Sequence, residues 1–421
     1  MPIPKIVLFD HPTVSLALRP FTDTRPIAGL RIGIFTIIEK WKNSMPGTYN
    51  VLTHDYLQPQ YPITDLGTIQ ARYTTNILCI DSSVLPNARL VEALQALKKD
   101  EVLMTNSGCM IAFWKSAKDI PAHAAALCPD TTTKQVVFKH KITRIKEKWD
   151  IFLNNPAAIE ADFSFILQHK KDQGSVKDPN TICYHPTDIW VAPTARIQAA
   201  ILNAEKGPIY IGENAMVHPQ SVITGPVAIG NNACIHVGSH ISGGTSIGSY
   251  AKVGGEVNQS VIFDYSNKAH SGFLGHSVIG SFCNIGSGTN TSNLRNDYGE
   301  VTLWDYKHYT YVKTGLQFCG LFMGDFSKCG IQTMFNTGTT VGISTSIAGA
   351  GFCNRFIPSF MKGSPLATLS FYELHAAIEA AERTLARRQL VMQQTQKDMF
   401  AHLLPVELEK WFHHIVKKHA I

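Results

Sequence analysis

The sequence predicts an α/β domain, then a parallel β-helix, then a C-terminal helical segment. Three observations carry that prediction. An aliphatic residue recurs at every sixth position through Ile211, Val217, Ile223, Ile229, Ile235, Ile241, Ile247 and Val253, and the period returns at Met323, Cys329, Phe335, Val341 and Ile347. A period of six fits neither an α-helix nor a simple hairpin. It fits stacked coils, in which each hexapeptide gives one short strand and one inward side chain. Upstream, short apolar runs alternate with stretches of helical spacing, the mark of an α/β layer. After Gly363 the apolar spacing turns helical.

The elements follow in order. Residues 5–10 (KIVLFD) read as a buried strand, and 33–42 (GIFTIIEKWK) as an amphipathic helix carrying Ile34, Ile37, Ile38 and Trp41. Residues 75–81 (TNILCID) read as a second buried strand, Leu90, Leu94 and Leu97 as the helix behind it, and 110–114 as a further strand. Such alternation implies a parallel sheet. Asp81 then stands at the carboxyl end of its strand, where open α/β sheets place ligand groups. Two helical pieces, 149–152 and 159–167, precede a polar, turn-rich linker at 170–180 (KKDQGSVKDPN). The expected domains are 1–170, 185–355 and 366–421, with the repeats starting near His185.

Within the repeats, Gly212, Gly230, Gly248 and Gly342 are expected at corners that need unusual backbone angles. The period fails over 259–275 and 291–313, although Ile279 and Ile285 keep it between them. Both failures read as loops extruded on one face, often the binding face of a solenoid. Ser370 and Glu373 have capping-box spacing, and Leu374, Ile378, Ala381 and Leu385 form one stripe. That helix is expected to lie as a lid on the coil end, with a second helix starting at Pro405.

Composition bounds the function. A length of 421 residues suggests two or three domains, and 44% hydrophobic with 17% charged residues is the mix of a soluble globular protein. A net charge of +6, without a basic run, favours anionic small molecules over nucleic acid. Nine scattered cysteines without a C-x-x-C pair favour a reducing, cytoplasmic compartment. Neither a signal peptide nor a membrane span is expected, because no apolar run has the required length or flanks.

The repeats and the run 268–293 (KAHSGFLGHSVIGSFCNIGSGTNTSN) resemble the GlmU-like family, bifunctional N-acetylglucosamine-1-phosphate uridyltransferase/glucosamine-1-phosphate acetyltransferases. The resemblance is best over 211–299 and is also close to a shorter, GlmU-related sugar nucleotidyltransferase group. It implies a left-handed β-helix, acetyl-CoA as co-substrate and a homotrimer. His270 aligns with the family's catalytic His and Glu256 with the Glu that orients it. The chemistry explains both: an amine attacking a thioester loses a proton to a neutral imidazole, and a carboxylate fixes that ring's tautomer. Asn284 and Asn293 align with family asparagines at the sugar and transfer site. Read from the sequence alone, His270 also suits an ordinary surface loop, and Asn284 a left-handed corner. His240 and Asn258 replace the family's phosphate-binding Arg and Lys, Phe273 replaces a sugar-contacting Tyr, and His276 replaces an Asp. This mixture suits an acyltransferase acting on a different amino sugar phosphate or sugar nucleotide.

Residues 18–33 (LRPFTDTRPIAGLRIG) resemble the nucleotidyltransferase signature, which implies a Rossmann-like nucleotidyltransferase domain. Arg19, Arg25 and Arg31 are then candidates for nucleotide binding, and Asp81 for holding Mg²⁺. The first strand nevertheless runs into Asp10-His11-Pro12-Thr13 without the glycine cluster that lets backbone N–H groups approach phosphates, and Ile27 stands where the family has a lysine. Two functions compete: an acyl-CoA-dependent transferase with a nucleotidyltransferase-like domain, and a catalytically degenerate protein that binds a sugar nucleotide.

Overall fold

The computed structural model describes residues 4–64, 75–131, 133–169, 173–365 and 369–419, with the side chains of the last helix to residue 412. It divides into two compact units. One comprises Met1–Leu18, Thr24–Leu30 and Phe35–Glu147; the other comprises Arg19–Asp23, Arg31–Ile34 and Lys148–Ile421. The division falls before residue 170, because the helices Asp150–Leu153 and Asn155–His169 belong with the repeats.

The first unit holds a six-stranded sheet. Lys5–Phe9 lies between Thr48–Leu52 and Asn76–Asp81, parallel to both. One strand departs from the expected parallel order, whereas Lys134–Phe138 is again parallel to Glu101–Thr105. Met110–Ser116 runs antiparallel to Asn76–Asp81 and to Glu101–Thr105. The reason is a tight hairpin: Thr105 N–H donates to Cys109 O at 2.8 Å, and Gly108 takes φ +77°. A helix begins at Ile37, not Gly33. Thr36 caps it reciprocally with Glu39, whose Oε2 accepts from Thr36 N–H at 2.7 Å.

The second unit is a parallel β-helix with three faces. A nine-stranded face starts at Ile189–Val191, a ten-stranded one at Arg196–Ile197 and a six-stranded one at Ile182–Tyr184. The first strand thus begins just ahead of His185, and the last coil reaches Gly363. Every sixth-residue aliphatic of the sequence lies in one interior cluster. Across 253–285 the interior continues through Val257, Ile262, Leu274, Ile279 and Ile285. Residues 259–275 are therefore not an extruded loop. Corners shortened by a residue or two shift the period without ejecting the chain. The second break is extruded, as a hairpin of Thr302–Asp305 with Thr310–Lys313.

The corner glycines serve a different need from the one expected. Gly212, Gly230, Gly248 and Gly342 are absent from the positive-φ residues; a Cβ at Gly248 would sit 2.3 Å from Asp264 Oδ1 and 2.6 Å from its N. Close approach of neighbouring coils excludes the side chain. The left-handed conformation falls two residues later, on Asn214, Asn232, Tyr250 and Ser344. At this corner Tyr250, Tyr265, Phe282 and Phe326 form a stack with centroids 4.9, 4.9 and 5.0 Å apart. Ring stacking offsets the unfavourable backbone of non-glycine residues.

The nine-stranded face is buried on its outer side as well. Trp190, Tyr210, Val261, Val278 and Phe322 point outward there, yet each is almost wholly covered. Phe21 packs on Phe263 and Phe322, with ring centroids 5.7 and 6.4 Å away. Asn155 Nδ2 donates to Gly244 O at 2.7 Å and to Ser246 Oγ at 2.9 Å.

The C-terminal helices are Leu374–Ala386 and Gln394–His419. Ser370 is not a cap, because it pairs with Lys362 in a short antiparallel strand; Glu373 is the N-cap and makes no side-chain cap bond. Pro405 lies inside the second helix rather than at its start. Its missing N–H is tolerated because Phe400, Leu403 and Leu404 are buried around it. The helices are not the lid: Leu369 and Phe371 pack on the interior cluster, while Phe400 packs on the corner rings of Phe326 and Phe360.

One interior position is a lysine. Lys268 pairs with the inward Val253 and is 3% exposed. Its Nζ donates to Gly254 O at 2.9 Å and to His270 O at 2.6 Å. Burial pushes its pKa down to about 8.

Two predictions follow from this interior. Ile235→Asp should destabilise by about 4 kcal/mol or more in chemical denaturation, and Val237→Asp, on an exposed side chain, by a few tenths. Stability should also rise with pH between about 8 and the ordinary lysine value of 10.5. Over that window the folded chain has released the Lys268 proton while the unfolded chain still holds it. Below pH 8 both states hold it, and the penalty for burying the charge is constant. Subtracting the pH profile of Lys268→Met should remove the rise; an identical slope in both proteins contradicts the assignment.

Candidate active site

The six-stranded face brings most of the expected residues together. Register places His240, Glu256 and Phe273 in one outward row and Ser242, Asn258 and Gly275 in the next. Strand spacing puts successive members of a row about 4.8 Å apart. His270 lies at the corner leading into this face. A Cβ at Gly255 would sit 2.8 Å from His270 O, so the backbone before Glu256 runs directly beside His270. Glu256 and His270, fourteen positions apart, lie on neighbouring coils without a loop folding back. Lys268 fixes the juxtaposition, since its ammonium joins Gly254 O on one coil to His270 O on the next. Both Glu256 and His270 are exposed.

Gly275 is a place where side chains converge. A Cβ there would lie 2.5 Å from the Phe273 ring and 2.6 Å from Asn293 Nδ2. Asn293 Nδ2 lies 2.8 Å from His276 Nδ1. If the amide donates, His276 carries its proton on Nε2. The His276 ring is stacked on Phe318 at 5.2 Å and meets Phe152 edge-on at 5.8 Å. Burial holds it below the ordinary histidine value, hence neutral. It is thus an oriented, half-buried side chain at a left-handed corner. Asn258 Nδ2 donates to Ser242 Oγ at 3.2 Å.

Asn284 is not part of this arrangement. It stands in the strand Asn284–Ile285 on the ten-stranded face, where its Oδ1 accepts from Asn267 Nδ2 at 2.8 Å. Its backbone is extended, not left-handed.

Two residues escaped the sequence reading. Lys268 was hidden because a lysine at a hexad position reads as a break in the repeat; that break was itself the signal. His236 follows the inward Ile235, as His218 follows Val217, and their rings lie 6.1 Å apart. Burial, then His218, Lys252 and His270, hold the His236 imidazole below its ordinary value. A neutral imidazole therefore stands near His270.

The nucleotide-binding candidates are dispersed. Arg19 is buried in the second unit, paired with Asp23 and Glu407 at 2.5 Å each and lying over the Tyr306 ring. Arg31, also in the second unit, donates to Ile34 O at 2.6 Å and Asp264 Oδ1 at 3.0 Å. Arg25 alone belongs to the first unit. These ion pairs leave Arg19 and Arg31 with structural partners.

Asp81 does stand at a strand end, but it is fully buried and engaged. Its Oδ1 accepts from Ser83 N at 2.9 Å and Ser83 Oγ at 2.6 Å, and its Oδ2 pairs with Arg144. Asp10, at the end of the neighbouring strand, accepts from Ile27 N at 3.0 Å and Thr53 Oγ1 at 2.6 Å. Burial pushes its pKa up to about 7. Among the described residues no three His, Cys, Asp or Glu side chains are grouped to hold a metal. The expected Mg²⁺ site at Asp81 does not fit these residues, whose carboxylate oxygens already have donors.

Two parts of the chain resemble known protein families. A family model described as sugar nucleotidyl transferase matches residues 6–171, and one described as bacterial transferase hexapeptide (six repeats) matches residues 208–243. The bifunctional protein GlmU of Methanococcus vannielii is 43% identical over 95 residues, which cover 23% of this chain and 22% of that protein. The protein of the same name from Methanocaldococcus jannaschii is 35% identical over 105 residues, 25% of each. The chain thus spans about a quarter of the length of the curated relatives it matches. A solved UDP-N-acetylglucosamine acyltransferase from Campylobacter jejuni aligns with half of this chain (50%) and 94% of its own at 15% identity, with a TM-score of 0.25, a likeness too slight to carry an argument. The chain thus carries one segment similar to sugar nucleotidyl transferases and one similar to bacterial hexapeptide transferases, and it is similar to GlmU proteins over about a quarter of its length.

Proposed function

We propose that this chain is a transferase of sugar nucleotide metabolism whose β-helix moves an acyl group from acyl-CoA, acetyl-CoA in the simplest case, to the amine of a sugar phosphate or sugar nucleotide. The observation that carries this reading is the placement of His270 on the coil next to Glu256, at the edge of the rows holding His240, Asn258 and Phe273, with Asn293 beside Gly275. In this reading His270 takes the proton from the attacking amine, and Glu256 stabilises the imidazolium. Backbone N–H groups of the corner receive the oxyanion. Phe273 gives the sugar an apolar floor, and Asn258 and Asn293 its polar contacts. The exposed setting of Glu256 and His270 suits a homotrimer, in which a neighbouring subunit walls the site.

The first unit is proposed to bind a sugar nucleotide rather than to transfer a nucleotidyl group. Asp10 and Asp81 are committed to protein donors, and the glycine cluster is replaced by Asp10-His11-Pro12-Thr13. The degenerate alternative extends this to the whole chain. It is favoured by one observation: among the described residues no hydrogen bond joins Glu256 to His270. A thiol-release assay with acetyl-CoA and a panel of amino sugar phosphates separates the two.

His270→Ala should lower kcat roughly 10²–10⁴-fold with a smaller change in KM, and Glu256→Gln should lower it less. Acetylation by His270→Ala at the unaltered rate refutes the assignment.

A further inference from the structure

The outward row that contains Asn258 and Gly275 does not end there. Phe273 N donates to Asn290 Oδ1 at 2.9 Å, and Thr291 Oγ1 to Phe273 O at 3.2 Å, so the strand Asn290–Thr291 lies alongside Phe273–Gly275. Asn290–Thr291 in turn pairs in parallel with Met334–Phe335. Ser292 and Asn336 therefore extend the row two rungs beyond Gly275. There the face opens into a cavity of about 340 Å³, bounded by Ser292, Asn336 and Thr337 on the coils and by Arg295, Asp297 and Arg355 across from them.

Two guanidiniums face this space. Arg355 is half-buried and, among the described residues, pairs with no carboxylate. Its Nε donates to Thr337 O at 3.0 Å and its Nη2 to Thr302 O and, at 2.9 Å, to Thr302 Oγ1, which leaves Nη1, while its face lies 4.8 Å from the Tyr311 ring centre. The fork is thus fixed with its remaining N–H groups uncommitted. Arg295 is held only by its neighbour Asp297, at 2.8 and 2.5 Å, in an exposed pair. Such a pair is weak and readily exchanged. Burial, and then the nearness of Arg295, lower the Arg355 pKa, so the two cations repel each other across the cavity. Two guanidiniums beside one cavity supply two positive charges, which a doubly charged phosphate neutralises and a single carboxylate does not.

We propose that this cavity is a phosphate-recognition site, in which Arg355 and Arg295 hold the phosphate of a ligand lying along the Asn258–Gly275 row, with Asp297 as the built-in counter-ion that the phosphate displaces. The link to catalysis, though not the phosphate binding itself, rests on the acyl-transfer reading. It also supplies charge that the row lacks at His240 and Asn258. The phosphate comes from the sugar or from the CoA donor.

The test is calorimetric binding to the full chain and two variants, with glucosamine 1-phosphate and CoA as probes and glucosamine and pantetheine as their phosphate-free counterparts. Arg295→Gln should weaken binding of one phosphorylated probe at least tenfold and leave its counterpart unchanged. Asp297→Asn should tighten the same probe several-fold, a gain that misfolding does not produce. Whichever probe responds identifies the source. Equal affinities of all three proteins for both phosphorylated probes, or no binding of either probe to any of them, overturns the site. Arginine-sensitive binding without thiol release sinks the acyl-transfer reading and leaves the cavity standing; thiol release with affinities indifferent to both substitutions does the reverse.

Discussion

The parallel hydrogen bonding of one coil to the next is the constraint on which this protein depends. Each strand is only two or three residues long, and no such strand is stable alone. Stacking makes the backbone of each coil the partner of the next, and the interior rows exclude water from the bonds. The same register that aligns Ile229, Ile247 and Ile262 inside must align His240, Glu256 and Phe273 outside. Chemistry on this scaffold is accordingly written in rows, and residues distant in sequence meet because whole coils intervene.

The interior was legible wherever the coil repeats without adjustment. An aliphatic side chain at every sixth residue has one economical explanation, and all of those residues are inside. Legibility failed where a corner lost a residue, because a pattern read by counting cannot distinguish a shortened corner from an inserted loop. Thus 259–275 looked like an insertion, although Lys268 and Leu274 stand at ordinary coil positions. Burial on both sides hid the nine-stranded face in another way. Its outward residues are apolar because segments as distant as Phe21 cover them, and nothing in local sequence announces such a partner. For the same reason Pro405 misled: its local preference for a helix start was overridden by the packing of Phe400 and Leu404.

For the site, the resemblance picked out residues most of which share one face, but it could not assign every contact. His240, Glu256, Asn258, Phe273 and Asn293 converge, whereas Asn284 points outward on another face, and no motif distinguishes one outward face from the next. The arginines near the N-terminus looked like phosphate ligands because spacing shows charge without its partners. Asp23, Glu407 and Asp264 are those partners, and two of them lie hundreds of residues away. Lys268 makes the same point from inside the core: its place is set by two carbonyls, which a sequence does not display.

The central claim is that the outward rows beside His270 form the acyl-transfer surface. It is tested most directly by a crystal structure of the chain with a non-transferable thioether analogue of acetyl-CoA and an amino sugar phosphate. The account predicts the sugar amine within about 3 Å of the His270 ring and the thioether over the Glu256–Phe273 rungs. Both ligands bound on another face, with His270 left in solvent, would contradict it.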